Sequence, residues 1–308
     1  MGLMRSTLLW ASQNASLRRS LPRYTFVRKA VRRFMPGEQM GDALAAAERL
    51  KGIGFPTIFT HLGENTANEE EAKQVVDHYC LLLGKINERA LDCHLSVKLT
   101  QLGLDLGNDV CLQGLTTIVR RAAETNNFVW IDMEGTAYTE RTLEIFRCVR
   151  EKHRNAGVCL QSYLSRTEDD LNSLLSLTPM IRLVKGAYSE PPDLAFQRKK
   201  DVDENFLNIA RVLLAVGHHD GVFQGVGTHD RVLIRKIMQV ASGMGLSRDH
   251  YEFQMLYGIQ TEEQERLRRE GYRVRVLISY GTYWFPWYMR RLAERPANVL
   301  FVLRNIFS

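Results

Sequence analysis

The sequence predicts an α/β chain whose strands close into an eight-stranded β/α barrel. Two observations lead there. From residue 56 to residue 294 the chain keeps one beat of apolar strand, polar loop and helix, repeated eight times. Strands alternating with helical patterns make parallel βαβ units, and eight such units are what a closed barrel needs. Polar residues also recur at the downstream end of successive strands, the end that carries the chemistry in such barrels. The runner-up is an open, doubly wound sheet. That fold wants a glycine-rich phosphate loop after an early strand, and neither GxGxxG nor GxxxxGK[ST] is present.

Residues 1–35 read as an amphipathic helical segment, broken by Pro36-Gly37. Residues 42–51 (DALAAAERLK) are strong helix formers, closed by Gly52-Ile53-Gly54. Strand one is 56–61 (PTIFTH), and the helix over 69–83 has acidic residues in its first turn, where they suit the helix dipole. Strand two is 94–99 (HLSVKL), and Asp109 caps a helix over 109–124. Strand three is 128–133 (FVWIDM), followed by a helix over 139–152. Strand four, 158–160, leads to a helix over 166–175. Strand five, 181–184 (IRLV), ends at Gly186; a loop with Pro191-Pro192 and a helix over 204–216 follow. Strand six, 222–226, runs into Gly227-Thr228-His229, and Asp230 caps a helix to residue 244. Strand seven is 251–256 (YEFQML), its helix 261–270, and strand eight 273–278 (RVRVLI). Helices over 284–294 and 297–307 finish the chain on either side of Pro296.

The strand ends gather charge. Lys98 ends strand two, Asp132 and Glu134 end strand three, Gln161 ends strand four, and Arg182 and Lys185 belong to strand five. Thr228 and His229 end strand six, and Gln254 lies in strand seven. Each alone reads as structural, but their repetition makes an anion-binding mouth. Lys98, Arg182 and Lys185 form a like-charged trio whose repulsion Asp132 and an anionic ligand would relieve. On the last helix Arg290 and Arg291 suit one carboxylate, with Glu294 pairing back at i,i+3 or i,i+4. The ordinary meaning of such a pair is a solvated basic face. The apolar approach of Trp284, Phe285, Trp287 and Tyr288 favours a buried role instead.

The bulk numbers exclude several classes. The 308 residues show no linker, and five cysteines stand far apart with no CxxC pair. That is neither a disulfide framework nor a zinc signature, and it favours a reducing compartment. No histidine and carboxylate pair has metal-ligand spacing, so no metal is expected. No apolar run approaches the roughly 20 residues of a membrane span. The net charge of +6 sits at the N-terminus, where eight cations from Arg5 to Arg33 precede the first acidic residue, Glu38. Such a segment is a helical cap, a transit peptide or a patch for anionic lipid. No aromatic platform accompanies it, so no nucleic acid is expected.

The segments VKLTQLGLDL, IDME, LQSYLSRTEDDL, IRLVKGAY, GTHD, YEFQMLYG and RRLAERPANVLFVLRN occur in this order. They resemble the FAD-dependent proline dehydrogenases in their short, monofunctional bacterial form, from about residue 40 to the end. The resemblance implies a distorted (βα)8 barrel of the TIM type with extra N-terminal helices, divided as an N-terminal helical segment (1–45) packed on a catalytic barrel (46–308). It implies non-covalent FAD, oxidation of L-proline to Δ1-pyrroline-5-carboxylate by hydride transfer to flavin N5, and a membrane quinone as electron acceptor. The expected location is the cytoplasm, with peripheral contact at the inner face of the membrane. Lys98, Asp132 and Arg182 match the catalytic positions. Met133, Gln161, Arg182, Lys185, Gly186, Ala187, Thr228, His229 and Gln254 match positions that contact FAD. Lys98, Tyr188, Leu256, Arg290 and Arg291 match substrate positions, with Glu294 as the ion-pair partner of the arginines.

One position departs from the family. Four residues before the glycine of the last loop, here Gly281, relatives carry a tyrosine that packs on the substrate ring and disfavours a 4-hydroxyl. Here it is Leu277. Looser proline binding and better acceptance of 4-hydroxyproline are expected. The competing functions are a hydroxyproline oxidase, a Schiff-base lyase using Lys98 or Lys185, and a non-enzymatic binder driven by the basic N-terminus.

Overall fold

The structure is a computed structural model describing residues 7, 8, 10, 11, 14, 31–220 and 223–294, without the side chains of 218–220 and 294. The expected helix over 297–307 and most of the expected N-terminal helix lie outside the described residues.

Eight strands form one closed barrel in sequence order. They are β1 (Thr57–His61), β2 (Cys93–Val97), β3 (Val129–Ile131), β4 (Ala156–Gln161), β5 (Met180–Val184), β6 (Gln224–Gly227), β7 (Tyr251–Leu256) and β8 (Arg273–Tyr280). Every neighbouring pair is parallel, and β1 closes on β8 with Ile58 beside Leu277 and Thr60 beside Ser279.

The helices are α1 (Met40–Gly52), α2 (Glu69–Glu88), α3 (Asn108–Glu124), α4 (Thr136–Arg150), α5 (Thr167–Leu174), α6 (Lys199–Asp220), α7 (Arg231–Gly243), α8 (Thr261–Arg269) and α9 (Trp284–Glu294). Two start on local side-chain caps. Asn68 accepts from Glu71 N at 2.9 Å, and Asp230 accepts from Val232 N at 3.0 Å. Asp109 is not a cap: α3 begins one residue earlier, after Gly107, and Asp109 sits in its first turn. The helix read over 204–216 is longer at both ends; at its start Arg198 bonds Asp201 and Lys199 bonds Asp203.

Side chains alternate across each strand, so each barrel strand serves two cores. Outward residues such as Phe59, Val97, Ile131, Leu183 and Phe253 pack against the helices. Inward ones, Ile58 and Trp130 with Leu277 beside them, form a separate apolar plug with Phe128 and Met180. Above this plug the interior turns polar.

A third cluster covers the barrel's end. Leu8, Ala11, Val31, Phe34 and Met35 pack against Leu62 and the aromatic face of α9 (Trp284, Phe285, Trp287, Tyr288). Gly258 permits this approach. Its φ is +70°, and a Cβ there would stand 1.7 Å from the carbonyl oxygen of Arg33.

Two glycines test these contacts with opposite signs. A Cβ at Gly157 would lie 2.7 Å from Met180 O and 2.8 Å from the Trp130 ring, whereas at Gly84, inside α2, it meets only an arginine tip at 3.9 Å. Gly157→Ala should lower stability by about 1–3 kcal/mol through overpacking. Gly84→Ala should raise it by about 0.5–1 kcal/mol through helix propensity. Denaturant midpoints of the two variants check both signs.

Candidate active site

Arg182 stands at the centre of the barrel mouth. It points inward from β5, and the residue is 3% exposed. A buried guanidinium needs partners on every side, and β2, β3, β4 and β7 each supply one. Nη2 donates to Ser96 Oγ at 2.7 Å and to the Asp132 carboxylate. Nε meets Cys159 Sγ at 3.2 Å, and Nη1 meets Gln254 Oε1 at 3.4 Å. The Trp130 ring lies 5.4 Å from the guanidinium carbon, a cation–π contact. Asp132 also accepts from Ser96 Oγ at 2.8 Å.

Glu64, in the loop between β1 and α2, organises a second group. Its Oε1 accepts from Lys98 Nζ at 2.8 Å and from Arg290 Nη2 at 2.6 Å. Burial alone would raise the Glu64 carboxyl, but Lys98 and Arg290 outweigh it and hold it down to about 2, against 4.5 ordinarily. The Arg290 guanidinium lies 5.3 Å from the centre of the Tyr188 ring. Burial raises the Tyr188 phenol well above its usual range and keeps it protonated. Glu134 is buried below Lys98 and accepts from Thr100 N at 3.1 Å and Thr100 Oγ1 at 2.7 Å.

The expected trio of cations around Asp132 does not form. Arg182 takes Asp132, Lys98 takes Glu64, and Lys185 binds Asp203 of α6 at 2.6 Å and Asp230 at the start of α7 at 2.9 Å. Like charges are separated because each is cheaper to bury beside its own carboxylate. The same pairing opposes the lyase reading, since both lysines it would use are held against carboxylates. The Glu294 side chain lies outside the described residues. The carboxylate on Arg290 is Glu64, and Arg291 beside it is half-buried.

Most of the remaining expected residues lie at the same mouth; Leu277 does not. Gln161 donates to Met133 O at 3.2 Å, and its Oε1 is buried with no partner among the described residues. Gly186 and Ala187 lead the chain out of β5. Gly186 has φ +106° and presses on the Tyr163 ring so closely that a Cβ would lie 2.1 Å from it. Thr228 Oγ1 accepts from Asp230 N at 3.2 Å, and His229 Nε2 accepts from Leu256 N at 2.8 Å, tying the loop after β6 to β7. Leu256 packs toward α9, and Leu277 faces the apolar plug. Tyr280 points outward and hydrogen-bonds His78 at 2.6 Å, so it does not take the place of a tyrosine at 277.

Sequence reasoning missed Glu64, Ser96 and Cys159. Ser96 was accessible, because period-two alternation puts His94, Ser96 and Lys98 on one face of β2. Glu64 carried no local signal: its partners are 34 and 226 residues away.

On β6, a Cβ at Gly225 would stand 2.8 Å from Gln254 Nε2 and one at Gly227 2.7 Å from Val184 Cγ1, so the side chains around Arg182 pack directly on the backbone of β6. A fixed cation and an orphaned amide oxygen fit a ligand that carries N–H donors and takes on negative charge.

Comparison with known proteins gives the family. A family model described as proline dehydrogenase matches residues 43–304. Proline dehydrogenase 1 of Bacillus subtilis subsp. natto is 38% identical over 306 residues, covering 99% of this chain and all of that one. Proline dehydrogenase of Deinococcus radiodurans is 34% identical over 281 residues, covering 90% of this chain and 89% of its own. Among solved structures, proline utilization A (PutA) of Bdellovibrio bacteriovorus, inactivated by N-propargylglycine, superposes with a TM-score of 0.80 at 22% identity, over 95% of this chain and 36% of that longer one. That structure supports the fold.

The Glu64 bridge has a measurable pH signature. A carboxylate held down in the folded state stabilises it fully above its ordinary pKa and loses that contribution as pH falls through the lowered value. Glu64→Gln should therefore be less stable than wild type near pH 7, by up to about 3 kcal/mol. The gap should narrow between about pH 4.5 and 2. Unfolding midpoints of both proteins across that range check the convergence.

Proposed function

The chain belongs to the proline dehydrogenase family, and we propose that its barrel mouth holds FAD beside Arg182, with L-proline between that flavin and α9. Its activity is the oxidation of proline, the first step of proline catabolism, and the family is flavin-dependent. Arg182 supports the flavin assignment most directly: a fixed, buried guanidinium at the centre of the barrel mouth. A bound flavin would supply the two-electron acceptor: the ring CH2 beside nitrogen would give up a hydride and the ring nitrogen a proton, leaving Δ1-pyrroline-5-carboxylate, and a quinone would take the electrons.

The chain's own residues prepare and shield this reaction. Arg182 keeps a positive charge where negative charge builds on the acceptor, and its four strand partners leave it little to reorganise. Asp132 and Ser96 set its orientation. Arg290 and Arg291 bind the proline carboxylate, for which a guanidinium fork is well shaped. Glu64 holds Lys98 and Arg290 together through one carboxylate oxygen. Tyr188, Leu256 and the aromatic cluster on α9 exclude water from the ring. Gln161, Lys185, Gly186, Ala187, Thr228, His229, Gln254 and the Met133 backbone hold the cofactor.

A second substrate is favoured by one observation. Leu277 brings no hydroxyl to the ring, but Ser279 lies two residues on, on the same inward face and nearer the mouth. Its buried Oγ has no partner among the described residues. A 4-hydroxyl on the substrate would satisfy it, so 4-hydroxyproline is accepted beside proline.

With a quinone as acceptor, the enzyme would work in the cytoplasm at the inner face of a membrane. The N-terminal segment is the contact: Trp10 is 60% exposed while Leu8 and Ala11 beside it are buried. Among the described residues no helix is long and apolar enough to cross a membrane.

The purified protein should show a flavin spectrum that bleaches when L-proline is added without oxygen. Arg182→Met should abolish flavin binding or its reduction. Arg290→Met should raise the KM for proline at least about tenfold with a smaller change in kcat. Steady-state kinetics and the visible spectrum check all three. Leu277→Tyr should move kcat/KM toward proline and away from 4-hydroxyproline, and an unchanged ratio would count against the second substrate.

A further inference from the structure

Beneath Arg182 the barrel interior contains a second buried ion pair that the reaction above does not use. Glu252 is 0% exposed and Arg275 1%. Arg275 Nε donates to both Glu252 oxygens, at 3.0 and 3.1 Å, and Arg275 Nη1 reaches Asp92 Oδ1 at 2.7 Å. If the pair served only stability, two well-packed apolar side chains would do as well or better. Glu252 has one further contact: its Oε1 accepts from Gln254 Nε2 at 2.8 Å. The two residues are neighbours because side chains two apart on β7 share the inward face.

That contact decides which end of the Gln254 amide meets Arg182. The two ends have nearly the same shape, so packing alone does not choose between them. A carboxylate below requires the NH2 to point down, and a guanidinium above requires the oxygen to point up. Only one orientation satisfies both, and it is the one present, with Gln254 Oε1 3.4 Å from Arg182 Nη1. Gly225 makes room for the link, since a Cβ there would stand 2.8 Å from Gln254 Nε2. A line of alternating polarity thus crosses the barrel: Asp92, Arg275, Glu252, Gln254, Arg182, Asp132.

We propose that Glu252 is a positioning residue for proline oxidation: it fixes the Gln254 amide and, through it, the guanidinium of Arg182. This rests on the reading that Arg182 lies beside the flavin. Glu252 touches neither substrate nor cofactor and acts only through Gln254.

The test compares two variants that break the same ion pair from opposite ends. In Glu252→Gln a single amide oxygen faces two donors. The charged Arg275 takes it, and Gln254 turns its NH2 toward Arg182. Arg275→Met breaks the pair but leaves Gln254 its acceptor. Both variants should lose stability. Only Glu252→Gln should lower kcat, by about tenfold with KM for proline within about twofold, and shift the flavin midpoint potential and visible bands. The double variant Glu252→Gln with Arg275→Met frees the amide oxygen for Gln254 and should restore all three readouts. If Glu252→Gln alone does not fold, that double variant is compared with Glu252→Met plus Arg275→Met, which offers Gln254 no acceptor and should show the loss. Unchanged potential and kcat in Glu252→Gln, equal shifts in Arg275→Met, or equal behaviour of the two double variants overturns the proposal. A wild-type protein that binds no flavin overturns the flavin reading and this proposal with it.

Discussion

Arg182 is a full positive charge held inside a closed barrel, and much of the interior is explained by what that charge requires. An unpaired buried cation would cost several kcal/mol. Asp132, Ser96, Cys159, Gln254 and the face of Trp130 each answer part of that cost, from five directions. The strand order puts β2, β3, β4 and β7 around β5's inward face, so the partners come from residues 72 to 86 positions away as readily as from 23. Barrel closure and Arg182 therefore depend on each other. The closed sheet supplies the partners, and the partners make a polar centre tolerable.

The rest of the mouth follows the same rule. Arg182, Lys185, Lys98 and Arg290 each meet a carboxylate, and Glu64 serves the last two at once. Two carboxylates, Glu64 and Asp132, thus face three cations, Lys98, Arg290 and Arg182, and the surplus positive charge suits an anionic ligand under the apolar cover. The cover is built from α9 and the N-terminal residues packed on it. It keeps water away from a site whose charges are worth more in a dry surround than in a wet one. Arg290 is held at the border of the two regions, with its guanidinium on Tyr188 and Glu64 and its helix in the aromatic cluster.

The polar line below Arg182 extends this logic to the far end of the barrel. The apolar plug of Ile58, Phe128, Trp130 and Leu277 and the buried pair of Glu252 with Arg275 both lie inside the barrel. Two ways of filling a barrel therefore coexist in one chain. The polar one carries orientation up to the mouth, and the apolar one contributes volume and burial.

The eight-unit barrel was legible in the sequence because its signals are local. Apolar runs, helix periodicity, acidic first turns and the Asp230 cap act within a few residues. Each strand was found to within a few positions, and Asp109 failed as a cap because α3 starts one residue before it. The family was also legible, through motifs that keep their order along the chain. What the sequence by itself determined is thus the class of fold, the end of the barrel that bears the polar residues, and most of the residues at that end. Which charge pairs with which was decided only by the tertiary structure. Glu64 meets Arg290 across 226 residues, Lys185 turns away to Asp203 and Asp230, and Gln254 takes its orientation from Glu252 below it. Pairing energy depends on separation and burial in space, and neither is encoded in any short stretch of chain.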